Sequence, residues 1–187
     1  MKKLILFTIF FTSLLSTANA QKDVNTKSRA SKVELGYAFG GTPRYHYLAS
    51  YSGFTGSLLH GLKLSDQFHL YAGLGLEKLS DRNILPLIAD FDYYNKKGNQ
   101  FLNAKTGYAF AWGTRTEVDN NYQYRGGFHF SIGYGFHLLT QSKFNLRFLA
   151  AYNYRDTKLR YQALPDSPIY EDASKTHLFS FKTVFSF

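Results

Sequence analysis

The chain contains no cysteine, so neither a disulfide framework nor a thiolate metal site is open to it. Proline is scarce, with four in 187 residues, and no long apolar run occurs after the first 20 residues, which excludes a bundle of membrane-spanning helices. Acidic side chains are outnumbered, 13 against 22 basic ones, but the basic residues are dispersed and no recognised nucleic-acid motif accompanies them. Nucleic acid is therefore not an expected partner. What is abundant is Phe (18), Tyr (15) and Gly (15), a composition that suits many strands relieved by glycine.

The first 20 residues, MKKLILFTIFFTSLLSTANA, have two lysines, an apolar stretch from Leu4 to about Leu15, and Ala18-Asn19-Ala20 as a small-x-small site. This is the pattern of a secretory signal peptide, with cleavage expected after Ala20. Its apolar stretch is too short to cross a bilayer, for which a helix needs roughly 20 residues. Removing 20 residues from 187 leaves 167, one domain's worth, with 20 basic and 13 acidic side chains and a net charge of +7. Residues 21–31 are polar and basic, and are expected to form a short periplasmic lead without strand structure.

A period of two governs the rest. In QFHLYAGLGLEKL, Phe68, Leu70, Ala72, Leu74 and Leu76 alternate with His69, Tyr71, Gly73, Gly75 and Glu77. The same alternation recurs at Phe128, Phe130, Ile132, Tyr134, Phe136 and Leu138, and at Tyr108, Phe110 and Trp112. No helix generates that spacing. Reading the chain this way predicts eight strands at about 32–42, 50–64, 67–79, 84–95, 100–113, 125–139, 143–161 and 174–187. Tight turns are expected at Ser65-Asp66, Asn95 to Gly98 and Gln141-Ser142, and longer loops at Thr42 to Ala49, Gly113 to Tyr124 and Gln162 to Ala173, with a short connection near Ser80 to Asn83.

Two architectures accommodate such strands. A soluble, lipocalin-like barrel turns its apolar face inward, whereas a membrane barrel presents it to lipid and keeps small and polar side chains in the lumen. Here the large aromatics gather on one face, and glycine, serine, asparagine and charge on the other. The expected fold is an all-β, eight-stranded, antiparallel up-and-down transmembrane β-barrel over residues 32–187.

The chain closes with Phe179, Phe181, Phe185 and Phe187 at alternating positions, with Thr183 the weak member. This resembles the C-terminal assembly signal of bacterial outer-membrane barrels. The segments LPLIADFDYYN and FLNAKTGYAF, separated by a tight turn, are similar to a variant of the small OmpA/OmpX-like outer-membrane β-barrel family, and the resemblance covers Val33 to Phe187. It implies a bacterial outer-membrane location, lipid and lipopolysaccharide as surroundings, and the barrel-assembly machinery as a partner during insertion. It is architectural, and names a place better than an activity.

Sites are few. His129 and Ser131 sit at i and i+2, as in lipid A deacylases of this fold, but Ile132-Gly133 follows them and no glutamate occurs between Glu117 and Glu171, so no enzyme is expected. The histidines lack metal-ligand spacing, and neither a metal nor a cofactor is expected. His46 and His60 read as rim and wall residues. Arg44, Tyr45, His46 and Tyr47 combine a cation with aromatic rings and form a possible surface contact for a sugar or a phosphate; the alternative is an interfacial aromatic belt, to which Trp112, Tyr108, Tyr152 and Tyr154 belong.

Strand parity aims Glu34, Lys63, Asp90, Asp92, Lys105, Arg147 and Lys182 inward, all in the periplasmic half. Glu34 is expected to pair with Lys182, and Lys105 and Arg147 to share the two aspartates of the fourth strand. Such a network would plug an interior only wide enough for side chains. Three classes stay open: a structural or surface-interaction protein acting through its loops, a narrow conduit for ions or small solutes, and an enzyme.

Overall fold

The computed structural model describes residues 29–44, 47–80, 82–117, 120–140, 145–162 and 168–187; the leader and its cleavage site lie outside them. Alternating side chains and β-rich composition produce nine strand segments: β1 (Arg29–Arg44), β2 (Tyr47–Lys63), β3 (Phe68–Leu79), β4 (Asn83–Tyr94), β5 (Gln100–Trp112), β6 (Thr114–Glu117), β7 (Asn120–Thr140), β8 (Asn145–Gln162) and β9 (Tyr170–Ser186). All pairings are antiparallel between chain neighbours, and β9 closes onto β1. Both β5 and β6 pair with β7, so they are two pieces of one staved strand, and the barrel has eight strands and no free edge. The break falls at Gly113, whose φ of 156° a side chain would disfavour.

One end of the barrel carries the start of β1, the end of β9 and the tight turns. Ser65 Oγ accepts from the amides of Gln67 and Phe68, and Asn95 Oδ1 from those of Asn99 and Gln100, with Gly98 in the left-handed conformation at φ 69°. The opposite end carries the remaining connections. We refer to these as the turn end and the loop end.

The expected loops are largely strand. Arg44 is already paired with Tyr47, β6 and β7 form a hairpin that includes Thr114 paired with Gln123, and β8 runs on to Gln162. The ladders continue because backbone groups beyond the apolar band pair with each other at little cost. At the turn end β1 starts at Arg29, three residues before the expected position 32, because Ser31 and Phe187 exchange both backbone hydrogen bonds and draw the chain into the sheet.

The outward face is apolar. Phe54 is 72% exposed and Leu58 66%, and Leu74, Phe110, Ile132, Phe179 and Phe181 point the same way. Aromatic rings touch across strands on this surface, as in Phe39 with Phe179 and Phe181, and Phe148 with Phe181. Inward, polar and charged side chains alternate with three small apolar clusters, which include Ile84 and Leu178 near the loop end and Phe101, Leu149 and Val184 near the turn end. Five inward rings among the described residues, Tyr51, Tyr71, Tyr94, Phe101 and Tyr124, depart from the expectation that nearly all large aromatics face out; they fill the narrow interior and lie against its cations.

Candidate functional site

The inward positions of β1, β4, β5, β8 and β9 assemble a layer of charge in the turn-end half. Lys32 Nζ donates to Asp90 Oδ1 and to Asp92 Oδ2, both at 2.9 Å, and lies 3.5 Å from Glu34. Lys105 bonds Glu34 and lies 3.1 Å from Asp90. Arg147 sits 3.2 Å from Asp92, bonds the Tyr94 hydroxyl, and has its guanidinium 4.9 Å from the centre of the Phe101 ring. Lys182 reaches Glu34 at 3.5 Å. Neutral donors complete the carboxylates: Asn103 Nδ2 donates to Asp90 at 2.9 Å and Asp92 at 2.7 Å, and Ser57 Oγ to Glu34 at 3.1 Å. Every charged member of the layer is buried, Glu34 and Asp92 completely.

The expected partners thus meet: Glu34 with Lys182, Lys105 with Asp90, and Arg147 with Asp92. Lys63 is a correction. It ends β2, is exposed, and stands at the turn-end mouth with Asp66, His69 and His137, where water reaches its ammonium and no ion pair is needed. Lys32 was missed by sequence reasoning although it makes the most contacts to carboxylates. It falls on the parity of Glu34, two residues on, and was passed over because it is the first residue of the expected strand, next to the polar segment 21–31.

A second, smaller charged level lies toward the loop end, and sequence reasoning missed it too. Arg155 pairs with Glu77, and Arg82 lies between the rings of Tyr51 and Tyr124, 4.6 and 4.4 Å from their centres, with Nη1 3.3 Å from Thr157 Oγ1. Parity alone would have revealed Glu77 and Arg155. Arg82 sits between strands, where parity has no hold.

His129 and Ser131 point into the lumen between the two levels, 2% and 0% exposed. Neither imidazole nitrogen nor the serine hydroxyl has a hydrogen-bond partner among the described residues, so the two are not hydrogen-bonded to each other. Among the described residues no group of three or more His, Asp and Glu could hold a metal ion. On the outside, His60 faces away from the lumen with Nδ1 2.8 Å from Ser31 Oγ. Trp112 and Tyr108 face outward, 45% and 46% exposed, and so do Phe179, Phe181 and Phe187, with Phe185 and Thr183 partly covered. Tyr45, His46 and the side chains of Arg44 and Tyr47 lie outside the described residues.

An apolar wall around a charged interior, closed by β9 on β1, is matched by solved structures. Neisserial surface protein A aligns with a TM-score of 0.59 and 10% identity over 84% of this chain and 95% of that one. Ail, the attachment invasion locus protein of Yersinia pestis, solved with the heparin analogue sucrose octasulfate, gives 0.53 and 11% over 86% and 99%. The outer membrane protein AlkL, solved in lipid bilayers, gives 0.51 and 9% over 89% and 93%. This chain has the fold of the small eight-stranded outer-membrane β-barrels. No protein-family profile matches it, and no curated protein does. The barrel fold accounts for the outward aromatics and the ion pairs that link non-neighbouring strands, and leaves the activity to the site.

Proposed function

We propose that the chain is an integral protein of the bacterial outer membrane with a structural or surface-interaction role, exposing its loop end outside the cell and its turn end to the periplasm. The observation that carries this reading is the inversion of the wall: leucine and aromatic side chains stand exposed on the outside while lysine, arginine and carboxylates are buried within. In water such a surface is a liability; in lipid it is the stable arrangement. Strands of 16 to 21 residues, such as β1 and β7, exceed the roughly 9–11 that cross the hydrocarbon, so the surplus projects beyond it.

The loop end supplies the interaction surface, with lipopolysaccharide as its immediate surroundings and the assembly machinery as a transient partner. The charged layer closes the lumen: cations from β1, β5, β8 and β9 converge on carboxylates from β1 and β4, and their ion pairs fill the interior at that level. No step of chemistry is assigned to His129 and Ser131. Planar-bilayer recording of the purified protein tests the closure, because a solvated conduit gives steady conductance steps and a closed lumen gives none.

A further inference from the structure

The buried charges do not balance. The turn-end layer and the Arg155–Glu77 pair together hold five cations, Lys182 being the most loosely engaged, against four carboxylates. Lys182 is 3.5 Å from Glu34 Oε2, and that oxygen is already taken by Lys105. Arg82 is left out of this comparison because it belongs to the loop-end rim, bonded to Thr157 and flanked by two rings.

Beside the surplus stand His129 and Ser131. They are consecutive inward positions of β7; His129 is paired across the sheet with Arg155 on one side and Gly107 on the other, and Ser131 with Lys105 and Asn153. The cations whose fields act on His129 are Arg155, Lys182 and Lys105. A buried positive charge without a counter-charge is costly, and so is a buried N–H or O–H without an acceptor. An imidazole N–H, a hydroxyl and an ammonium are all donors. A single acceptor that carries its own negative charge satisfies all three at once.

We propose that the middle of the lumen binds one small monovalent anion of the halide class, which accepts hydrogen bonds from His129 and Ser131 and neutralises Lys182. Glu34 and Glu77 each keep a carboxylate oxygen without a hydrogen-bond partner, and their charge limits the guest to one negative charge. The anion is a structural counter-ion held between the two charged levels. The inference rests on the lumen geometry alone, so a barrel that proved to conduct would leave it standing.

Crystals of the full barrel grown with sodium bromide, measured at the bromine absorption edge, test it directly. The expected result is one anomalous peak within the lumen beside His129, Ser131 and Lys182; water alone at that position overturns the proposal. Thermal unfolding gives an independent reading: the midpoint should be higher in chloride than in gluconate at equal ionic strength. Lys182→Met should remove that difference and Ser131→Ala should reduce it, the latter without touching any ion pair. Equal midpoints for the wild-type barrel in the two salts would count against a bound anion.

Discussion

Glu34 and Lys105 meet across the full width of the barrel: β1 and the β5–β6 strand are four strands apart in either direction around the wall, yet their side chains bond at its centre. A contact of this kind does not hold neighbouring strands in register. It ties opposite sides of the cylinder together, and its carboxylate also engages Lys32 and Lys182.

Removing one partner leaves the other buried and uncompensated. Lys105→Met is expected to cost about 3–5 kcal/mol, and Glu34→Gln a similar amount, while the double variant should cost less than the sum because neither charge is then stranded. Urea unfolding of the refolded barrel in vesicles, followed by tryptophan fluorescence of Trp112, measures all three. Strict additivity would show that the pair is not coupled.

On the outward face the sign of the effect depends on lipid. Leu74, 51% exposed near the middle of β3, should tolerate Ala well, whereas Leu74→Arg is expected to cost about 2–4 kcal/mol in a bilayer. Comparable stability of the arginine variant and the wild type in vesicles would place this face in water.

Phe187 exchanges both backbone hydrogen bonds with Ser31 and stands 63% exposed at the turn-end rim. Its deletion should slow closure of β9 onto β1 more than it destabilises the closed barrel, since a rim position lies where charge or loss of apolar area costs least. Heat-modifiable mobility on a gel, followed over time after induction, reports the folded fraction. Wild-type folding kinetics in the deletion would remove Phe187 from any assembly role.

Above the apolar band, Lys158 donates a hydrogen bond to Glu171, which holds the glutamate below its ordinary value and the lysine above its own. A carboxyl with a lowered value contributes stability above the ordinary glutamate range and loses it as the pH falls through the lowered value. Because both groups are open to solvent the contribution is small. An NMR titration should show Glu171 moving up in Lys158→Ala; an unchanged titration would mean that the pair is not formed in solution.

Much of this was legible in the sequence because a strand has only two faces. Once Phe68 to Leu76 are aligned on one, Glu77 must fall on the other, and the pairing of Lys182 with Glu34 follows from equal distance to the turn end. Parity fails where the strand itself is misjudged. Lys32 stood at the first residue of the expected strand 32–42, where parity was not carried to the strand's edge, and Lys63 kept its inward parity but left the constriction by standing at the last residue of its strand. Residues 113–124 have the polarity of a loop, yet the β6–β7 ladder runs through them, paired by backbone groups that carry no sequence signal. Their excision would thus shorten a strand.

The proposed closure of the lumen is tested most directly by single-channel recording in planar bilayers. Wild-type barrel inserted from detergent should give a silent membrane, and Lys105→Ala combined with Arg147→Ala should open a leak by removing two of the cations that cross the interior. Steady conductance steps from the wild-type protein would contradict the account.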